Sequence, residues 1–406
     1  MTPIELAAVA SAAVPGLNLT ACAAEPDDAA DFESALLHDS EGRRWRVRSP
    51  KHAEASTRLE TELAVLRAFS PAVRAELPFL MPTVAGTVRQ GALSTFVYSH
   101  LAGHSRSVET LAAGGAAVAR ELGSAMAAIH DLPPALVSNA DLPSYTANEF
   151  RQRKLNELDQ AATTGKIPAA LLRRWEHALE DVALWRFSPS VVHGDLHEDN
   201  ILLEGSRVMA VIGWTDLRVG DPADDFAWLV AVNDHAFVDA VQEAYSAARK
   251  DAPDRHLLRR AALSAEFALA QWLVKGVAAD NAGMVAEAET MLRALEADIA
   301  TYGGQPIATE PPVVAPPHSA AVTPVSMTDD GEAAGSASGE RAPAAPANPA
   351  PAAGSTPVAE VSTPAVDSAE PAAEEPAPSD PPVAKAPAGS PENLDTTALT
   401  VIPLHK

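Results

Sequence analysis

The chain is short of cysteine, of basic residues and of long apolar runs. Its single cysteine, Cys22, excludes a disulfide framework within one chain. The context "LTAC" imitates a lipoprotein cleavage site. No basic region precedes it, however, and Pro15, Gly16 and Asn18 interrupt the apolar run, so a buried cysteine on a strand is expected. No stretch reaches the ~18 apolar residues of a membrane span. The expectation is a cytoplasmic protein with no membrane partner. Lys and Arg number 30 against 54 Asp and Glu, a net charge of −24. Such a surface repels phosphate backbones, which argues against nucleic acid and favours a cationic ligand.

Aromatic residues are unevenly spread, and the last one is Tyr302. Residues 301–406 hold 20 of the 34 prolines, with 13 acids against 3 bases. That segment cannot bury enough apolar surface to offset the entropy of ordering. It is therefore expected to be a disordered, acidic, Pro/Ala-rich tail. Its final "LTVIPLHK" is the one piece suited to docking or to a protein partner. About 300 residues remain to fold, enough for one large domain or two lobes.

What is present falls into two parts. Residues 1–100 read as a small α+β lobe: a helix over 3–13, strands near 17–23 and 33–38, and a hairpin over 33–48 turning at "DSEG". A helix over 54–68 follows, with Leu59, Leu63 and Leu66 on one face, then strands near 83–88 and 93–99. Residues 101–300 read as mainly helical. Val118, Leu122, Ala125, Met126 and Ile129 mark one amphipathic face, Leu171, Trp175, Ala178 and Leu179 another. Further helices are predicted near 222–231, 235–248, 256–274 and 282–299. Short strands "VVH", "ILL" and "VMAVI" lie among them.

The stretch "VHGDLHEDN", residues 192–200, crowds two histidines, three acids and an asparagine beside an apolar run. A di-metal centre could use His193, Asp195, His197 and Asp199, although no ligand-like histidine pair follows downstream. A charged turn between strands is the plain alternative. The third reading is phosphoryl transfer. Its catalytic loop has the form H-x-D-x-x-x-x-N, in which the Asp accepts the proton of the attacking hydroxyl and the Asn holds a Mg²⁺. Asp195 and Asn200 have that separation.

Followed by "VIGWTDLRVGDPADDFAWL", the segment "VVHGDLHEDNILL" resembles the aminoglycoside/macrolide phosphotransferase family, relatives of the protein kinases. The resemblance covers about residues 15–300. It implies a two-lobed, protein-kinase-like α+β fold: a β-rich nucleotide-binding lobe over 1–100, then a mainly helical lobe over 101–300 bearing the catalytic loop and acceptor site. It also implies transfer of the γ-phosphoryl of ATP or GTP, with Mg²⁺, to a hydroxyl of a small molecule. An aminoglycoside or macrolide, being cationic, would suit the acidic surface. By resemblance Asp195 is the catalytic base, Asn200 a Mg²⁺ ligand and His193 a buttress of the loop. His197 matches the family's second histidine, where a role beside the base and a purely structural one are equally open. "WRVRSPKH" places Arg48 where kinases carry a phosphate-pairing Lys, as the macrolide-type branch often does. "RLETELAVL" places Glu62 to pair with it, and "FVYSHLAG" resembles the hinge that faces the nucleotide base. Asp221, before Pro222, reads first as a helix cap.

Two departures stand out. The loop "AAEPDDAADFE" has no glycine, so no Gly-rich flap covers the phosphates. Gly213, in "VIGW", stands where the family has its second Mg²⁺-binding Asp, and Asp216 is the nearest substitute. Weak, Mg²⁺-hungry activity is expected, with Gly213→Asp tightening metal binding and raising turnover. The glycine and the tail together leave open a nucleotide-binding pseudoenzyme that recruits partners.

Overall fold

Thr2 starts the first helix: its hydroxyl accepts from the Glu5 N–H while the Glu5 carboxylate accepts from the Thr2 N–H, a reciprocal cap on α1 (Pro3–Ala13). The computed structural model describes residues 1–307 and 402–403. After α1 come β1 (Leu19–Ala24), β2 (Phe32–Asp39), β3 (Arg44–Pro50), α2 (Ala53–Ala68), α3 (Pro71–Glu76), β4 (Val84–Gln90) and β5 (Leu93–Ser99). The strands form one antiparallel sheet in the order β1-β2-β3-β5-β4.

Alternation along the strands divides the sheet's two faces. Ala35, Leu37, Trp45 and Val47, with Val97, pack on Leu6, Ala7 and Ala10 of α1. Phe32, Phe96 and Tyr98 pack on Ala55 and Leu59 of α2. Arg46 and Arg48 alternate with Trp45 and Val47, and so point to the α2 side. Asp39 pins the β2–β3 turn, accepting from the Glu41 and Arg43 N–H groups at 2.9 and 2.8 Å and from Trp45 Nε1 at 3.1 Å. Cys22 is fully buried on β1, as expected.

The second part runs α4 (Val108–Ala113), α5 (Gly115–His130), α6 (Ala135–Asn139), α7 (Ala147–Thr163), α8 (Ala169–Glu180), β6 (Ser190–Val192), β7 (Ile201–Glu204), β8 (Arg207–Val211), β9 (Arg218–Gly220), α9 (His235–Ala248), α10 (Leu257–Ala278) and α11 (Ala282–Tyr302). Its larger core gathers Val118, Leu122, Met126 and Ile129 of α5 with Val241 and Tyr245 of α9. The same core takes in Val65 and Leu66 from the end of α2, and Phe69 and Phe79 beyond it. Phe69 meets the Trp214 ring edge-on at 5.3 Å, and Phe79 stacks on it at 6.3 Å. Backbone bonds also stitch the two parts together. Leu80 exchanges bonds with Met209 and Val211 on β8, and His104 exchanges them with Leu203 on β7.

Two sequence expectations change, and one helix is added. Residues 222–231 wind as a 3₁₀ helix, because the Asp221 carboxylate takes the Ala223 N–H and its carbonyl takes that of Asp224, tightening the turn. Polar α7 was not anticipated, although Thr146 and Glu149 form a capping box at its start. The folded part also runs past residue 300. Ile307 is fully buried against α8 and α10 residues, while Arg259 donates to the Pro306 and Ile307 carbonyls. The remainder of the tail expectation lies outside the described residues. From "LTVIPLHK", Ile402–Pro403 forms β10, antiparallel to β1. Among the described residues no helix is long and apolar enough to cross a membrane.

Candidate active site

The hairpin β7–β8 and the ribbon β6–β9 hold a loop, residues 193–200, between them. Its anchor is a residue not singled out from sequence. Asp225 is fully buried and accepts from the His193 and Gly194 N–H groups, both at 2.8 Å, while its Oδ2 lies 3.0 Å from His130 Nε2. Burial pushes this carboxyl up, but His130, His193 and the Gly194 N–H outweigh it and hold it below the usual range. The signal lies in "GDPADD", three acids of which the first, Asp221, already has a capping role. Asp221 is the helix cap expected, and it is also tied to the buried Arg260 at 2.7 and 3.1 Å as part of the frame.

His193 buttresses the loop from within. Its Nε2 donates to the Ile212 carbonyl at 2.9 Å, its Nδ1 accepts from the Asp195 N–H at 3.3 Å, and its ring lies 4.7 Å from that of Trp214. Burial lowers its pKa against the charges of Asp225 and Asp195, so the ring is neutral. With both nitrogens committed to backbone, it is no metal ligand, which removes the first member of the di-metal alternative.

Asp195, by contrast, presents a side chain 52% exposed. Desolvation by the loop walls raises its pKa, the nearby charge of Asp216 adds to this, and His197 and His193 oppose it. His197 Nε2 stands 4.0 Å from the Asp195 carboxylate and accepts from Asn200 Nδ2 at 3.0 Å. The other Asn200 N–H donates to the Asp195 carbonyl at 2.7 Å. Both amide hydrogens are thus used in fixing the loop, and the amide oxygen is left as a donor for a cation. Exposed Asp216, at the end of the 3₁₀ turn Trp214–Asp216, lies close enough to act on Asp195 electrostatically. Arg218 holds this turn to the loop: its Nη1 donates to the Asp216 and Gly194 carbonyls at 3.0 and 3.4 Å, and its Nη2 to Asp224 at 2.7 Å.

Gly213 does let the chain bend, at φ 80°. The expected gain from Gly213→Asp is not supported by the geometry. A Cβ there would lie 2.6 Å from Asn200 Oδ1 and 2.8 Å from its Cγ, so a carboxylate would arrive only by displacing the Asn200 amide.

In the β-rich part the Arg48–Glu62 pair does not form. Arg48 Nε and Nη2 bond both oxygens of Asp27 at 2.7 and 2.9 Å, and buried Glu62 accepts the Tyr98 hydroxyl at 2.9 Å. The loop carboxylate matches the planar guanidinium fork, and Glu62 acts on Arg48 only through space. In the segment "FVYSHLAG", expected to serve as a hinge, the His100 N–H is taken by the Arg44 carbonyl at 3.1 Å.

A family model described as the phosphotransferase enzyme family matches residues 24–263. The chain belongs to this family. The chain is 27% identical over 207 residues to an uncharacterized protein of Bacillus subtilis (strain 168), YcbJ, a match covering 48% of this chain and 65% of that protein's length. Its fold is similar to macrolide 2'-phosphotransferase MphH from Brachybacterium faecium (TM-score 0.61, 22% identity, 71% of this chain and 96% of that one). It is likewise similar to a type I macrolide 2'-phosphotransferase (0.58, 24%, 71% and 96%). A third similar structure is the GDP and kanamycin complex of APH(2")-IIIa (0.59, 17%, 74% and 99%). The two-lobed, kinase-like architecture inferred from sequence is therefore the fold of this chain.

Proposed function

We propose that the enzyme moves the γ-phosphoryl of ATP or GTP onto a hydroxyl of a small cationic acceptor of the macrolide or aminoglycoside class. The observation that carries this reading is Asp195: an exposed carboxylate with a raised pKa, on a loop whose backbone is clamped by buried Asp225. Asp195 takes the proton of the acceptor hydroxyl as its oxygen attacks. His193 and Asp225 keep it in place, and His197 fixes Asn200 beside it.

Asn200 and Asp216 are the proposed Mg²⁺ ligands. Both offer hard oxygen atoms, and Mg²⁺ is ordinarily held by one or two carboxylates together with substrate phosphates and water, so a sparse donor set suits it. Mg²⁺ in this position supplies charge neutralisation across the phosphate oxygens. Arg48 pairs with the nucleotide phosphates, and the hinge backbone beyond His100 meets the base. GDP and kanamycin together in a structure of this fold support a nucleotide donor and an amino-bearing acceptor. The net charge of −24 supports the cationic character of the acceptor.

The test is to incubate the full chain with Mg²⁺, either nucleotide and a panel of macrolides and aminoglycosides, reading the mass gain of one phosphoryl group. A product that disappears in Asp195→Ala supports the reading. Nucleotide binding with no acceptor modified would refute transfer and favour the non-transferring alternative.

A further inference from the structure

The loop between β1 and β2 carries acids where a kinase flap carries glycines, and they are in use. Asp27 grips Arg48 through both oxygens and lies 3.1 Å from Arg46 Nη2. Its Oδ2 also accepts the Ser34 hydroxyl. Glu25 lies 3.5 Å from Arg46 Nε, and Asp31 bonds His52 Nε2 at 3.0 Å and pairs with Arg58. Lys51 donates to the Ala29 carbonyl at 2.6 Å. The Arg48 guanidinium rests on the Phe32 ring, 4.1 Å from its centroid. Burial would raise the Asp27 carboxyl, yet Arg48, Arg46 and Ser34 bring it down to about 2, so it is anionic at any working pH.

We propose that Asp27 is a phosphate-mimicking plug: its carboxylate occupies the Arg48 fork, and a nucleotide's phosphates must displace it to reach that cation. The proposal rests on Arg48 being the phosphate partner. A guanidinium fork receives one bidentate anion at a time, carboxylate or phosphate. Apparent nucleotide affinity is then reduced by the fraction of molecules in which the loop is lifted. Asp27 thus sets how tightly nucleotide binds and leaves the Asp195 chemistry alone.

The experiment is calorimetric titration of the full chain with ATP, GTP and inorganic tripolyphosphate, each with Mg²⁺. The proteins are the native chain, Asp27→Asn, Asp27→Ala, Arg48→Gln, the Asp27→Asn/Arg48→Gln double variant, and Asp28→Asn as a charge-matched control. Circular dichroism checks that each is folded. If the loop is lifted in about a tenth of molecules, Asp27→Asn tightens all three probes about tenfold. Asp28→Asn changes little, and the gain vanishes without Arg48. Unchanged or weaker binding in both folded Asp27 variants overturns the plug alone, as does an equal gain from Asp28→Asn or a gain that survives Arg48→Gln. If no phosphate probe binds any variant, the nucleotide assignment of this lobe falls, and the plug with it.

Discussion

Replacing Asp225 by Asn should cost the fold and the catalytic loop together. The side chain is fully buried, and three donors converge on it: the His193 and Gly194 N–H groups and His130 Nε2. Asparagine keeps the volume but has one acceptor oxygen, and its amide nitrogen must face at least one donor. Hydrogen bonds to a charged group are worth about 1.5–3 kcal/mol, and a buried donor left unpaired adds its own desolvation cost. Losing one or two gives about 3–5 kcal/mol, the range found when one partner of a buried pair is removed. Guanidinium denaturation reads that loss. Turnover should fall as well, under conditions where the variant is still folded, because the same N–H groups set the position of Asp195.

The pH dependence has a definite sign. The Asp225 carboxyl is held below its ordinary value of 3.8, so its contribution is complete above that value and is lost as pH falls through the folded-state pKa. The part of the stability gap that rests on Asp225 ionisation should therefore persist down to about pH 5 and be lost below about pH 4. A variant within about 1 kcal/mol of the native chain, with unchanged turnover, would refute the anchoring role.

Asp195→Ala should lower phosphoryl transfer by about 10²–10⁴-fold with melting and nucleotide affinity unchanged. In the native enzyme turnover should fall on the acid side as Asp195 is protonated, because Asp195 must be deprotonated to act. Gly213→Asp should reduce turnover and destabilise by about 1–3 kcal/mol, since it forces a side chain onto a left-handed backbone against Asn200; faster turnover by kinetic assay would contradict this. Ending the chain after Gly303 should cost about 2–3 kcal/mol through loss of buried Ile307.

The parts legible in sequence were those written in local pattern. The hairpin at 33–48 and α2 follow from periodicity, and the loop from His193 to Asn200 follows from a motif with fixed spacing. The misreadings share a cause: each depends on a partner far along the chain. Arg48 sits opposite Glu62 in a one-dimensional argument, but β1–β2 delivers Asp27 to the same fork with better geometry. Asp225 meets Gly194 only because β6 and the 222–231 segment pack side by side. Ile307 follows two glycines and a proline, and nothing local marks it as core. Only the arginines that reach its neighbours from α8 and α10 reveal that the chain is still held there.

In protein kinases, positioning of the helix that carries the glutamate partner of the phosphate-pairing base controls catalysis. Here α2 has no such freedom: its last turn and the phenylalanines beyond it are set among the side chains that surround Trp214. The backbone bonds of Leu80 and His104 to the β7–β8 hairpin fasten the same junction at two further points. Rocking one half against the other would break several of these together, which makes it an expensive route to control. On the plug proposed for Asp27, evolutionary tuning would fall instead on the short acidic loop above Arg48, where a single codon would change nucleotide demand and leave that junction untouched.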